Sequence, residues 1–478
     1  MGLKQKISDI LINKKELIKR KYSAYTESDA GQRAGKVGKT AYLLKLNFGY
    51  YVLRDRSEEI KLPKEKCVLP LCESSIPSVS ATELARSLAE YDIISFDVFD
   101  TLIYRYVAKP ADVFYFVGEG LGISDYRRIR TEAEALARKD KHSLSGTYEV
   151  NIEEIADKVC EATGLSRDEI ISKELIAEKN FCYANPYMKK VWDSLLRSGK
   201  KPMILSDMYL PEEYMRELLT ECGYDVSECE IIVSCDILKS KAEGSVYRLL
   251  KEMKREAKSF AHIGDNEHSD IKNAQKHGIT AFRCVNPDKK GNIYRTEEMT
   301  PLIRTVWAGL VNKKMYGSEE EYDKYFCFGY NCLGILLYGF CSFINGLSEK
   351  HGTDKISFCG EQKELIKAVY DSLYKNNKTE ISDNESVREG YISAYCGSDE
   401  MLCRRKEESF YYLCKSDIRL SGIGGKAGIS DGATAFATDY DMIRKKYGYL
   451  GEIDVKDAVA PLKYALCDKE YLKKLLNE

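Results

Sequence analysis

The stretch Tyr91-Asp-Ile-Ile-Ser-Phe-Asp-Val-Phe-Asp-Thr-Leu-Ile103 decides the fold class of this chain of 478 residues. Ile93 to Phe96 is short, nearly free of polar side chains and rich in β-branched and aromatic residues, which predicts a buried parallel strand. Asp97 follows at the carboxyl end of that strand, where open α/β sheets bind their ligands. Asp97 is therefore a candidate reacting group, and a helix N-cap is the alternative interpretation.

Three further strands are predicted downstream: a buried strand over Met203–Leu205, a strand over Glu230–Ser234, and a strand that begins at Ser259 and leads into a tight glycine turn. Helical segments separate them, and this alternation is typical of a parallel sheet. Ser206 stands at the end of the first of these strands. Its hydroxyl and the backbone N–H groups that follow can bind an anion, or they can simply cap the next helix.

Charged residues follow the other two strands. Lys241 precedes a helix and can neutralise a phosphate and a nearby carboxylate, although a single lysine is more often a solvated surface residue. Gly264-Asp265 and Asp270 place two acids five residues apart at a tight turn. Carboxylate oxygens at a strand end suit Mg²⁺, and an Asp-Asn turn with a helix N-cap is the alternative.

Between Thr101 and the second strand the sequence is helical. Helices are predicted from Pro110, over Asp125–Lys141, over Glu153–Ala162 and over Arg167–Cys182. No strand is predicted among them. The segment therefore indicates a four-helix insert in the α/β core.

Taken together, four motifs occur in a fixed order: Asp97-Val-Phe-Asp-Thr101, Ser206, Lys241, and Gly264-Asp265 with Asp270. This order resembles the haloacid dehalogenase-like (HAD) superfamily of phosphotransferases and hydrolases, over about residues 88–285. The resemblance implies an α/β fold with a HAD-like Rossmannoid parallel sheet and a helical cap between the first two motifs. The predicted segments are a basic N-terminal helical segment and linker (1–80), the HAD-like core (81–105 and 186–300), the cap (106–185) and a smaller C-terminal α/β domain (320–478).

The resemblance also implies a mechanism, which is phosphoryl transfer through an aspartyl-phosphate with Mg²⁺ as cofactor and a small phosphorylated metabolite as substrate. Asp97 is the implied nucleophile, and Lys241 offsets developing charge (Lys239 if the register shifts by two). The implied substrate ligands are Thr101, Ser206, Asp207 and Lys241. The implied metal ligands are Asp97, the carbonyl oxygen of Phe99, Asp265 and Asp270.

One position departs from the family pattern. The family's phosphatases carry a second Asp two residues after the nucleophile, as general acid and base, and this chain has Phe99 there. Losing that group costs about 10²–10⁴-fold in rate. The candidates to replace it are Asp100 and the cap residues Glu132, Glu134 and Glu178. Three functions stay open: a metal-dependent phosphatase with another acid, a dehalogenase-type hydrolase, and a binding or scaffold protein with an inactive site.

The composition favours a cytoplasmic protein. A net charge of −2 gives no reason to expect a nucleic-acid partner, and the sixteen cysteines, without a Cys-x-x-Cys pair, indicate reduced thiols. No signal peptide is predicted, since charges interrupt each early apolar run. Residues 1–56 hold thirteen Lys or Arg and five acids. A basic amphipathic helix from Leu3 to Ile18 can contact a membrane surface or a partner, or pack on its own protein. A small, polar loop is predicted over Ser23–Gly38.

The C-terminal third carries an uncharged run of 24 residues, Tyr325–Ser348, for which we predict a buried helix rather than a membrane span. A strand over Lys355–Cys359, a helix over Glu361–Tyr374 and a strand over Tyr391–Tyr395 indicate a second α/β unit. The motif order also resembles a HAD subgroup linked with bacterial surface-polysaccharide synthesis. That subgroup has Arg-Asp-Gly where this chain has Gly360-Glu-Gln-Lys, and the segment Ser421–Gly428 is predicted to be a flexible loop.

Overall fold

The computed structural model describes residues 33–53, 79–284, 299–316, 320, 322–353, 355–360, 362–375, 378–383, 404–406, 409–414 and 426–447, together with residues 11, 18, 21, 22, 25 and 26. The chain forms two compact units, residues 1–67 and 68–478. Some predictions lie outside the described residues. These are the helix from Leu3 to Ile18 (except Leu11 and Ile18), the linker as far as residue 78, the strand Tyr391–Tyr395 and loop residues 421–425. The predicted loop Ser421–Gly428 is wrong at its end, because a helix begins at Lys426.

The first unit contains helix α1 (Gly35–Tyr51). Leu43 and Tyr50 on its inner face are buried against Ile18. The predicted loop over Ser23–Gly38 is wrong at its end, because the helix already begins at Gly35, and also at Tyr25 and Thr26, which are helical. Favourable helix formers and an apolar face with a packing partner outweigh the small, polar residues of its first turn.

The second unit is built on a five-stranded parallel sheet in the order β5-β4-β1-β6-β7. Phe96 in the central strand pairs with Ile204 on one side and Ile263 on the other, so the strands end at one edge. The elements are α2 (Ala81–Ala89), β1 (Ile93–Phe96), α7 (Pro186–Arg197), β4 (Met203–Ser206), α8 (Glu212–Glu221), β5 (Ile231–Val233), α9 (Ser234–Ile237), α10 (Ser245–Met253), β6 (Phe260–Gly264), a π-turn (Glu267–Lys272), α11 (Asn273–Lys276) and β7 (Thr280–Arg283).

A helical cap interrupts this core after β1. Two short antiparallel strands bracket it, and Ile103 pairs with Ala184 at its base. The elements are β2 (Ile103–Arg105), α3 (Val113–Leu121), α4 (Tyr126–Ser145), α5 (Ile152–Thr163), α6 (Arg167–Phe181) and β3 (Cys182–Ala184). The prediction of a strand-free insert with a helix through Cys182 is therefore wrong at both ends, because strands of three residues show too little periodicity to be detected.

The C-terminal part contains a second sheet, in the order β10-β11-β8-β9, with helices around it. Residues 324–351 form 28 continuous helical residues that are long and apolar enough to cross a membrane, and 89% of their most apolar window is buried inside the protein. This burial agrees with the predicted buried helix. The elements are α12 (Pro301–Tyr316), α13 (Lys324–Phe328), a π-turn (Gly329–Leu333), α14 (Gly334–His351), β8 (Lys355–Gly360), α15 (Lys363–Tyr374), β9 (Thr379–Ile381), β10 (Arg404–Lys406), β11 (Ser409–Cys414) and α16 (Lys426–Tyr447).

Two large apolar cores hold the second unit together. One lies beneath the parallel sheet around Phe96, Trp192 and Ile204. The other joins the cap to the C-terminal helices, with Phe116 and Trp307 in the same cluster. The parallel sheet and the helical insert confirm the predicted fold class, an α/β fold with a parallel sheet and a helical insert.

Candidate active site

The carboxyl edge of the parallel sheet brings three aspartates together. Asp97 directly follows β1, Asp265 follows β6, and Asp270 lies in the π-turn after it. All three are buried, and one oxygen from each lies within 4.8 Å of the others. The aspartates that the sequence assigns to metal binding therefore form one cluster of hard oxygen donors.

Lys241 reaches into this cluster from the loop before α10. Its ammonium contacts Asp97 Oδ1 and lies 2.7 Å from Asp270 Oδ1, and its side chain is 3% exposed. Lys239, the alternative, is exposed on the surface. Both carboxylate oxygens of Asp207 accept backbone N–H groups of this loop, from Lys241 at 2.8 Å and from Ala242 at 3.0 Å. Asp207 therefore holds the lysine loop, and its role as a substrate ligand stays a prediction.

The charges of the cluster do not balance, since three carboxylates surround one ammonium. Burial and the charges of Asp270 and Asp265 raise the pKa of Asp97 to about 8, although Lys241 opposes the rise. Asp270 behaves differently, because Lys241 and His262 overcome the effect of burial and lower its pKa. A divalent cation would relieve the excess of negative charge, and the donors are the oxygens that Mg²⁺ prefers. The residues fit such an ion.

The position of Asp270 is fixed from several sides. Its Oδ2 accepts the Asn266 N–H at 2.9 Å, and its Oδ1 lies 3.3 Å from Nε2 of His262. His262 is fully buried, which lowers its pKa, and its Nδ1 lies 2.9 Å from Ser95 Oγ. A Cβ at Gly264 would lie 2.4 Å from Asp270 Cγ, so only glycine leaves room for this carboxylate. The roles of His262 and Ser95 and the steric need for glycine at position 264 were not predicted. Each depends on contacts that form only when the chain folds.

The turn after Asp97 is held by residues outside the motif. Thr101 donates from Oγ1 to Asp97 Oδ2 at 3.1 Å. Asn185, at the start of α7, donates to the Thr101 carbonyl at 2.8 Å, and its backbone N–H donates to Leu102 O at 2.8 Å. Ser206 is buried at the end of the neighbouring strand β4. These contacts and strand ends thus fix the positions of Asp97, the candidate nucleophile, and of the two predicted phosphate ligands Thr101 and Ser206.

Phe99 and Asp100 form the part of the turn that departs from the family pattern. Asp100 has a left-handed backbone, with φ of 60°, and its N–H donates to Ile103 O at 2.8 Å. The Arg105 guanidinium lies 4.0 Å from the centroid of the Phe99 ring. Arg105 also makes two hydrogen bonds to the buried carboxylate of Glu178, at 3.0 and 3.3 Å. Glu178 is therefore committed to an ion pair and cannot act as a free acid.

The other two cap glutamates are also engaged. Glu132 is exposed and pairs with Arg128 at 2.7 Å. Glu134 binds Arg130 at 3.0 Å and Arg138 at 2.8 Å. Against the effect of burial, these arginines lower the pKa of Glu134. A general acid needs the opposite shift, so Glu134 is a wrong candidate for that role.

Glu149 is a cap residue that the sequence analysis missed. It lies in the loop between α4 and α5 and is half-buried. Burial raises the pKa of its carboxyl; Ser234 opposes the rise, and the negative charge of Asp207 adds to it. Arg138 donates to the Tyr148 carbonyl at 2.9 Å and holds the loop on α4. No sequence signal marks Glu149, because a single loop glutamate is ordinary in composition.

Comparisons with known proteins add little. No protein-family model matches the chain, and no curated protein matches it. Among solved structures, the chain is similar to an L-2-haloacid dehalogenase from Xanthobacter autotrophicus with chloropropionic acid covalently bound, at 13% identity and a TM-score of 0.31, over 40% of this chain and 77% of the other. A predicted phosphoglycolate phosphatase from Haemophilus somnus 129PT matches at 14% identity and a TM-score of 0.25, over 40% and 84%. Scores this low carry no argument about the chain.

Proposed function

We propose that this chain is a metal-dependent hydrolase of the HAD superfamily that cleaves a small phosphate monoester, such as a sugar or polyol phosphate. The observation that carries the proposal is the buried cluster of Asp97, Asp265 and Asp270 with Lys241 between two of them. A purely structural core would not be expected to bury three carboxylates against one ammonium, because an uncompensated buried charge is costly. Functional sites are where such groups collect.

In the proposed reaction, Asp97 attacks the phosphorus through one carboxylate oxygen. The bond from phosphorus to the ester oxygen breaks, and the leaving alcohol takes a proton. Water then gives a proton to the group that protonated the alcohol and attacks the phosphorus of the aspartyl-phosphate, the bond from phosphorus to Asp97 breaks, and inorganic phosphate leaves. Lys241 offsets the developing charge, and Thr101 and Ser206 hold phosphoryl oxygens.

Mg²⁺ completes the proposed site. Asp97, Asp265, Asp270 and the carbonyl oxygen of Phe99 would hold the ion, which when bound offsets the charge on the phosphoryl oxygens. The donor set and the excess of negative charge in the cluster support this choice of cofactor.

We assign the proton of the leaving group to Glu149. Its carboxyl has a raised pKa, as a general acid requires, and the charge of Asp207, which holds the Lys241 loop, contributes to the rise. Asp100 is the competing candidate, because it is adjacent to the motif and partly exposed.

A substrate screen tests the hydrolase. Wild type is incubated with Mg²⁺ and a panel of phosphorylated metabolites, and released phosphate is compared with that from Asp97→Asn. We expect Asp97→Asn and Lys241→Met to abolish turnover, while Lys239→Met, a change at an exposed lysine close by, retains it. Turnover no higher than the Asp97→Asn background across the panel would leave the binding or scaffold function. Metal-independent chloride release from 2-haloacids would favour the dehalogenase.

A second comparison separates the two acids. Glu149→Gln should lower kcat about 10²–10⁴-fold on an alkyl phosphate and remove the fall in rate at high pH. Asp100→Asn, which tolerates the left-handed backbone, should change kcat by less than about tenfold. Glu153→Gln is the matched control on the exposed face of α5. The opposite order of effects would transfer the role to Asp100. The link to polysaccharide synthesis and the cytoplasmic location stay predictions.

A further inference from the structure

Helix α1 carries a second apolar face. Its inner face packs within the first unit, where Leu43 is 8% and Tyr50 is 3% exposed. Asn47 fixes this packing by donating to the Leu11 carbonyl at 3.0 Å. The outer stripe, as we call the opposite face, consists of Val37 (85% exposed), Leu44 (56%), Phe48 (55%) and Tyr51 (45%).

The spacing makes the outer stripe continuous. Its residues follow one another at intervals of seven, four and three, which keeps them on one side of an α-helix. From Val37 to Tyr51 the stripe is about 21 Å long at 1.5 Å per residue. Val52 and Leu53 extend it beyond the helix and are 60% and 67% exposed. A contiguous apolar surface of this kind marks an interaction site.

Positive charge surrounds the outer stripe. Lys36 and Lys45 are exposed and, at 100° per residue, lie on opposite flanks of it. Between Asp29 and Asp55 the sequence contains five Lys or Arg and no acidic residue. The stripe therefore offers an apolar centre with cationic edges.

We propose that the outer stripe binds the surface of an anionic lipid bilayer. A helix that lies in the bilayer interface needs an apolar face with Phe and Leu, and lysines beside it that reach the headgroups. Both are present over the same turns of α1. Because the sequence has no acidic residue between Asp29 and Asp55, this segment is not repelled by an anionic surface. The proposal is independent of the hydrolase site, because no residue of the Asp97 cluster takes part.

The test is co-sedimentation of the full chain with vesicles of phosphatidylcholine alone or with phosphatidylserine added. We expect binding that requires phosphatidylserine and weakens with salt. Leu44→Glu with Phe48→Glu should weaken it at least tenfold, and Lys36→Gln, which removes one positive charge, should weaken it roughly fivefold. Leu144→Glu, at a leucine that is 87% exposed in the cap, is the matched control and should bind like wild type. Asp97→Asn should also bind fully, so failure of the hydrolase proposal leaves this one standing.

Three results would overturn the proposal. Wild type that does not sediment with either vesicle has no lipid-binding face. Binding that survives Leu44→Glu with Phe48→Glu arises elsewhere in the chain. A Phe48→Trp variant that keeps its emission spectrum on vesicles, and is not quenched by brominated lipid, shows that the outer stripe is covered by protein, whether by the rest of the chain or by a second copy.

Discussion

Phe99 occupies the position where the HAD-like phosphatases that the sequence resembles carry their general acid. The contacts of its ring show what the residue does in the structure. The ring supports the guanidinium of Arg105, which is itself tied to Glu178. A buried ion pair of this kind is costly to break but can be replaced as a unit by apolar residues. The phenylalanine is thus one layer of a stack that joins the nucleophile turn to the cap.

This stack makes a prediction about replacing the acid in the Glu149→Gln variant. In that variant, Phe99→Asp alone should raise turnover of an alkyl phosphate by less than about tenfold, because an adjacent guanidinium lowers a carboxyl pKa by about 1–3 units and makes it a poor proton donor. The same change combined with Arg105→Met and Glu178→Met should restore about 10²–10⁴-fold in the Glu149→Gln variant.

The control for this series is Glu149→Gln with Arg105→Met and Glu178→Met in the presence of Phe99, which should leave turnover near that of Glu149→Gln. Steady-state kinetics with Mg²⁺ provide the measurement. A full gain from Phe99→Asp by itself would show that Arg105 does not reach the new carboxylate.

Among the structural elements, the connection from β6 to the π-helical segment Glu267–Lys272 depends on Gly264. In Gly264→Ala the new methyl would lie 2.4 Å from Asp270 Cγ, so Asp270 must leave its place beside Lys241 and His262. Mg²⁺ at 100 times its Kd should stabilise wild type by about 2.7 kcal/mol and stabilise Gly264→Ala far less. Thermal unfolding with and without Mg²⁺ measures this. Gly346→Ala, where nothing lies within 4 Å of the new atom, is the control and should respond like wild type. An equal Mg²⁺ response in Gly264→Ala would place the metal away from Asp270.

Asp92 joins β1 and β6 at their amino ends, away from the aspartate cluster. This contact predicts that the stability of the protein depends on pH. Its carboxylate accepts backbone N–H groups of Lys258 at 2.7 Å and Ser259 at 3.0 Å, which lowers the pKa of Asp92. A lowered folded-state pKa gives stability above the unfolded value of about 3.9 that is lost as the pH falls through the folded value.

Asp92→Asn should therefore unfold at lower urea than wild type at pH 7, and the gap should narrow at pH 3. Glu90→Gln, a nearby exposed acid, should show no such trend. A gap of constant size at both pH values would mean that the charge of Asp92 does not matter.

The elements differ in how far the sequence could predict them. The strand Ile93–Phe96 was predicted to the residue, because β-branched and aromatic side chains fill it and polar residues end it. The helix beginning after Ser80 is also of the predictable kind, because Ser80 and Glu83 form a full capping box, which a sequence shows directly. The burial of Arg130, 1% exposed between Glu174 and Glu134, was not predictable, since a charged residue on a helix is normally solvated.

For the whole molecule, the main arrangement that local sequence could not predict is the union of the cap with the C-terminal helices. Their apolar residues form one core, and a Cβ at Gly309 in α12 would lie 2.2 Å from the Tyr106 backbone. Lys446 in α16 donates to the Asn180 carbonyl at 3.0 Å. Periodicity identifies an apolar face but not the element that covers it. A cap packed in this way is part of a larger body, so its opening would involve the C-terminal helices too.

Thr305 in α12 tests this union, because it lies at the junction. Its Oγ1 accepts the Ala108 N–H at 2.8 Å and donates to Asp112 Oδ2 at 2.8 Å, and the residue is fully buried. Thr305→Val leaves both partners unsatisfied, which should cost about 1–3 kcal/mol.

The two tryptophans of the chain report the two cores separately, since Trp192 lies beneath the parallel sheet and Trp307 lies in the shared core of the cap and the C-terminal helices. Urea unfolding is followed in Trp192→Phe and Trp307→Phe backgrounds, each with and without Thr305→Val. If the cap and the C-terminal helices unfold as one body, Thr305→Val lowers the midpoint seen by Trp307, and circular dichroism shows the cap helices lost at that same midpoint. Cap helices that persist beyond the Trp307 transition would show that the C-terminal helices detach first, and that the cap is stable without them.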